Sequence, residues 1–225
     1  MISSLIKLIN FIKISNKMIN VKFKELLIKN NKYLRVFVVL LIALIFFLYE
    51  STENKLYNKL DNYIEKFEDK TELYKKFDEF VKGGYEKDID LSSDLIEAVI
   101  DTAKSYNNVP NKIGGTDRES IDASGLVYVS INANTKFTNK SAQDMSRYGQ
   151  IIFDKEKLKR GDLLFFYDTY ESKNLISSVG IYLGKNDKNE DEFIISSSSK
   201  GVTIADLNDQ YYWKDKFFFG TRIFN

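Results

Sequence analysis

The hydrophobic pattern of this chain changes period once, near residue 150, and that change limits its fold more than any other feature. Before it, apolar residues recur at helical spacing. Leu91, Leu95, Ile96, Val99, Ile100 and Ala103 mark one face of a helix that Asp90 or Ser92 can cap. Leu126, Val127 and Val129 predict a second helix starting near Ala123, and Ser141 to Gly149 a short third. After it, Asp162–Tyr167, Ser178–Gly184, Glu192–Ser197, Gly201–Ile204 and Phe217–Phe224 are short apolar or β-branched runs divided by turn residues. Helices followed by strands predict an α+β domain over residues 90–225, with helices packed on one side of an antiparallel sheet.

Three further segments precede it. Residues 1–35 hold eight Lys/Arg and one Glu, which makes 1–34 a basic leader. Ile2, Leu5, Ile6, Ile9 and Ile12 give it a loose helical face suited to an anionic leaflet, although a start at Met18 would shorten it to an ordinary lead. Val36–Tyr49 is free of charge, and with its flanks predicts a transmembrane signal anchor over 35–52. No small-x-small pattern follows for cleavage. The basic excess before the span predicts a single-pass protein with a cytoplasmic N-terminus and a periplasmic or extracellular C-terminal domain. Residues 53–89 read as a helical connector. Leu60, Phe67, Tyr74 and Val81 fall seven apart, as in a seam for self-association, and Gly83-Gly84 supplies the stop.

Composition excludes several chemistries. The chain has no cysteine and no histidine, so it offers no disulfide, no thiolate and no imidazole base. Asp187, Asn189 and Asp191 alternate like the start of a calcium loop, but no Gly or distant Glu follows in register, and a hairpin turn is the expected role. No cofactor or metal site is expected. Neither a glycine-rich phosphate loop nor a clustered basic face is present, so nucleic acid is not an expected partner. The aromatic cluster Tyr211, Tyr212, Trp213, Phe217, Phe218 and Phe219 could bind a sugar, with core packing the favoured role.

Five blocks occur in order: Pro110 with Gly114-Gly115-Thr116, Asp122-Ala123-Ser124-Gly125-Leu126, Arg160-Gly161-Asp162-Leu163-Leu164-Phe165-Phe166, Val179-Gly180-Ile181-Tyr182-Leu183-Gly184, and Phe193-Ile194 through Ser197 with Gly201-Val202. Tyr212-Trp213 and Gly220-Thr221-Arg222 close the series. Together they resemble the NlpC family of papain-like cell-wall peptidases, which cut the short peptides of bacterial peptidoglycan. The resemblance implies a papain-like fold for 90–225. It places Ala123 where the family carries its nucleophilic Cys, Ser178 at its His and Ile195 at the residue that orients that His. It also places Asn111, Asp122, Ser124 and Gly125 along the substrate groove, with Asn111 where the family has Tyr.

With all three catalytic roles altered, the expectation is a chain that is not an enzyme: a membrane-anchored, extracytoplasmic NlpC-type homologue that binds or scaffolds envelope proteins or peptidoglycan stem peptides. Two alternatives stand beside it. One is an active peptidoglycan endopeptidase with a non-standard nucleophile, for which a Ser–Lys pair involving Ser124 or Ser120 is conceivable. The other is a structural subunit of an envelope machine.

Overall fold

The computed structural model describes residues 32–64, 70–138 and 140–225. The basic leader, but for its last three residues, lies outside these. The chain divides into two units, 1–58 and 59–225. The described part of the first belongs to helix α1 (Lys32–Ile64). Around this helix Val36, Phe37, Val39, Leu40, Leu44 and Ile45 are exposed.

Among the described residues no helix is long and apolar enough to cross a membrane, so the expected crossing over 35–52 is not supported. The uncharged run from Val36 to Tyr49 ends at Glu50, and Glu53 and Lys55 follow. Fourteen residues at ~1.5 Å rise make about 21 Å, against a hydrocarbon core of ~30 Å.

In the second unit the helices are α2 (Lys70–Lys82), α3 (Ile96–Lys104), α4 (Ala123–Asn132), α5 (Ala142–Met145) and α6 (Trp213–Lys216). The strands are β1 (Gln150–Ile152), β2 (Leu163–Tyr167), β3 (Ile176–Lys185), β4 (Asp191–Ser197), β5 (Gly201–Asp206) and β6 (Phe217–Arg222). All neighbours pair antiparallel in the order β1-β6-β2-β3-β4-β5. The α+β architecture with an antiparallel sheet is therefore as expected. The strand runs land close to β2 to β6, whereas β1 is too short to leave a readable alternation.

Neighbouring residues on a strand point to opposite faces, and β2 uses both. Phe165 meets Phe219, which also meets Phe80 and Phe153, with centroids 5.6–6.2 Å apart. Phe166 faces the other way, against Phe193 and Trp213, each 5.0 Å away. Trp213, Phe217, Phe218 and Phe219 are buried, so that part of the aromatic cluster is core; Tyr211 and Tyr212 are exposed.

Helix α2 buries Leu73, Phe77 and Phe80, at i, i+4 and i+7. Of the seven-residue seam, Tyr74 lies on the exposed face of this helix, opposite the residues that it buries. Its C-terminus is closed by Arg147, which is buried and donates from one guanidinium nitrogen to Phe80 O (2.6 Å) and Gly84 O (2.7 Å). Cations suit the negative end of a helix. A Cβ on Gly83 would lie 2.3 Å from that guanidinium, so only glycine fits.

The Arg-Gly-Asp-Leu block owes its form to packing. Gly161 has φ +92° against Ile96, and buried Asp162 accepts from Arg222 Nε (2.9 Å), Arg222 Nη2 (2.8 Å) and Lys159 N (2.7 Å). Each sheet edge is covered in part by the chain itself. At β5, Asn108 N donates to Val202 O and Val202 N to Val109 O, each at 2.9 Å. At β1, Ile151 N donates to a Glu86 carboxylate oxygen at 3.1 Å. Asn186 and Glu190 close the turn between β3 and β4, where Asp187 and Asn189 lie.

Candidate active site

The site is built on the N-terminus of α4. Asp122 is its N-cap: Oδ1 accepts from Gly125 N (2.6 Å) and from Ser124 Oγ (2.9 Å), while Oδ2 accepts from Gly114 N (2.6 Å). A carboxylate here satisfies N–H groups that the helix leaves open and complements its positive end. The Gly114-Gly115 turn is strapped over this end, with Asp122 N donating back to Gly115 O (3.1 Å). Two glycines make the strap. Gly114 has φ +78°, and Gly125 passes so close that a Cβ there would lie 2.1 Å from Gly115 O.

A groove of about 850 Å³ opens beside this helix end. Ala123 and Ser178 both line it, as do Asn111, Asp122 and Ser124. A smaller cavity of about 300 Å³ lies on the other side of Ser124, lined also by Gly125 and Lys140. Ile195 is fully buried and does not line the groove, so the opening is not plugged by it. Asn111 is tied to β4 by its amide, which donates to Ser196 Oγ (2.9 Å) and Ser196 O (3.2 Å).

Several groove residues carried no legible mark in the sequence. The β2–β3 register steps from Phe166↔Ser178 to Tyr167↔Ile176, leaving Ser177 as the extra residue of a bulge. A bulge re-aims side chains, and here Ser177 and Ser178 both reach the groove although they are consecutive. Ser177 Oγ holds the 168–175 loop by bonds to Thr169 N (3.0 Å) and Thr169 Oγ1 (2.7 Å). That loop contributes Thr169, Tyr170 and Asn174 to the wall. Burial, then the charge of Asp122, raises the Tyr170 phenol above its ordinary value, so it stays protonated at neutral pH. Lys140 shares a cavity with Ser124, a proximity that no spacing predicted.

Chemically, the arrangement offers hydroxyls rather than a thiolate–imidazole pair. Ser124 is half-buried in the first turn of α4, oriented by Asp122 and next to backbone N–H groups of a helix N-terminus. Developing negative charge is stabilised at such a terminus.

Comparison with known proteins agrees with the architecture. The NlpC/P60 family model matches residues 108–222, and the chain belongs to this family. It is 34% identical over 131 residues to the probable endopeptidase NlpC of Escherichia coli, covering 57% of this chain and 79% of that protein. It is 30% identical to the probable peptidoglycan endopeptidase LytE of Bacillus subtilis, over 54% of this chain and 33% of the relative. Among solved structures, an NLP/P60 family protein similar to a lipoprotein, from Staphylococcus aureus, aligns with a TM-score of 0.49 at 24% identity, over 60% of this chain and 43% of the other.

These relatives correct the expectation that the chain is not an enzyme. They are named as endopeptidases, and their family is one of enzymes. The loss of a thiol and an imidazole removes one route to hydrolysis, and argues nothing about a route through other side chains.

Proposed function

We propose that this chain is a cell-wall hydrolase of the NlpC/P60 type, which takes a peptidoglycan stem peptide into the groove beside α4 and uses a hydroxyl in place of the family's thiol. The observation that carries this reading is Ser124 Oγ, held 2.9 Å from Asp122 Oδ1 where the cavity meets the helix end. Attack by this oxygen on an amide carbonyl, with its proton passing through Asp122 to the departing amine, would put the oxyanion against the α4 N-terminus and leave a serine ester for water to hydrolyse. Lys140 lines the smaller cavity at Ser124, with its amine 5.0 Å from the Tyr148 ring centre, and would assist by turning from that ring toward the serine; Ser178 is a second hydroxyl in the main groove. The names of the relatives support the substrate class, since they act on the wall peptide.

The test is release of new amino groups from purified sacculi by the full chain, followed by mass analysis of the products. Release that Ser124→Ala abolishes and Lys140→Met reduces at least tenfold supports the reading. A protein that folds, binds sacculi and releases nothing overturns it.

A second element of the reading is attachment to lipid at the cell envelope. Val36, Phe37, Val39, Leu40 and Leu44 are exposed around α1, and a surface apolar on several sides is stable only when removed from water. The excess of lysine before it would add attraction to anionic lipid. Flotation with anionic vesicles should carry the full chain upward, and Leu40→Asp with Leu44→Asp should leave it at the bottom. Equal flotation of both would refute the attachment.

A further inference from the structure

The aromatic cluster near the C-terminus divides in the folded chain: four of its six residues are core, and Tyr211 and Tyr212 stay outside. Tyr170 and Tyr212 line the groove at 48% and 38% exposure, and Tyr211 beside them is 88% exposed. Exposed aromatic rings on the rim of a large cavity are costly unless something covers them. Tyr212 is also fixed in place. Its hydroxyl donates to Thr169 O at 3.1 Å, and its ring stands perpendicular to the buried Trp213 ring at 4.7 Å. A ring held from both ends is a preorganised platform, which loses little entropy on binding.

The charges of the groove narrow the choice of occupant. Its ionisable aspartates and lysines are Asp122, Asp206, Asp209 and Lys200. Three carboxylates against one ammonium disfavour phosphate-bearing polymers and accept the hydroxyls of a neutral polyol. Ser178 adds a hydroxyl to the same lining. Flat C–H faces for the rings and hydroxyls for the aspartates are together the chemistry of a pyranose.

We propose that Tyr170 and Tyr212 form a saccharide subsite for an N-acetylated amino sugar, so that the preferred ligand is a stem peptide still attached to its glycan. This rests on the peptide reading of the groove and deepens it. The sugar lies across the tyrosine rim while the peptide runs toward Ser124, and Tyr211 is the outer edge of the platform.

The experiment is calorimetric titration of the full chain with three probes: a muramyl-linked stem peptide, the same peptide without sugar, and soluble N-acetylglucosamine oligomers. The sugar-linked peptide should bind about tenfold more tightly than the free one, and the oligomers should compete with it. Tyr212→Ala and Tyr170→Ala should cost the linked peptide far more than the free one, bringing the ratio of the two affinities close to one. Tyr212→Phe keeps the ring and should keep most of the gain, which separates stacking from disturbed folding. Equal affinity for linked and free peptide overturns the saccharide subsite alone. Failure of every probe to bind overturns it together with the peptide reading.

Discussion

Two charged side chains close two helix ends in this domain, and they do opposite jobs. Arg147 caps the C-terminus of α2 and Asp122 caps the N-terminus of α4, each matched in sign to the helix end that it meets. Each also depends on a glycine that leaves room for it or for its strap, Gly83 for the guanidinium and Gly125 for the loop over Asp122. The difference is what lies beyond. Arg147 is roofed by the Phe80 ring, 5.0 Å from it, and its helix end faces protein. Asp122 lines an open cavity. The same electrostatics joins two pieces of the fold at one place and shapes the wall of an open groove at the other.

If that contrast is right, damage to the first cap should cost stability and spare the groove. Arg147→Ala leaves two buried carbonyls without their donor and should cost about 3 kcal/mol, read as a fall in the urea midpoint, with affinity for wall peptides unchanged in the folded fraction. Gly125→Ala should do both kinds of harm. Its methyl group would displace the Gly115 strap at a cost of about 2 kcal/mol, and peptide binding should fall at least tenfold by calorimetry. Asp122→Ala should cost about 1 kcal/mol as a lost N-cap, with a much larger loss in amine release from sacculi than in melting temperature.

The smallest effect comes from a network belonging to neither cap. Burial, then the neighbouring Asp191, raises the Tyr182 phenol well above its ordinary value of 10.0, and its hydroxyl donates to Asp191 Oδ1 at 2.5 Å. The fold prefers the protonated phenol, so this contribution is complete below pH 10 and is lost as pH rises above it. Thermal melts from pH 9 to 11 should show a decline that Tyr182→Phe flattens. A decline of equal slope in both proteins would place the alkaline sensitivity elsewhere.

Much of the architecture was legible because it rests on local pattern. The cap at Ser92, the short apolar runs of β2 to β6 and the glycines at 114, 115, 125 and 161 are all local signals. Family membership followed from the same blocks. What escaped depended on contacts distant in sequence. Arg147 meets Phe80 67 residues away, and nothing near either of them marks the pair. Ser177 joins the groove only through a one-residue slip in pairing. Lys140 and Ser124 share a cavity because α5 follows α4 back toward its start. The membrane crossing was read by adding polar flanks to an uncharged run of fourteen residues, and those flanks do not make the helix apolar over a full span. The non-enzyme expectation set the missing thiol and imidazole above the alternative of another nucleophile, which the enzyme names of the relatives favour.

The occupied borders of the sheet have a consequence for life at high local concentration. A six-stranded ribbon with bare margins would template its own copies into filaments, since each margin offers a row of unmet donors and acceptors. Here the 108–109 turn is stitched along one margin and Glu86 closes the other. Crowded copies of this domain would therefore find those bonds already taken, and could pair only along the rest of each margin.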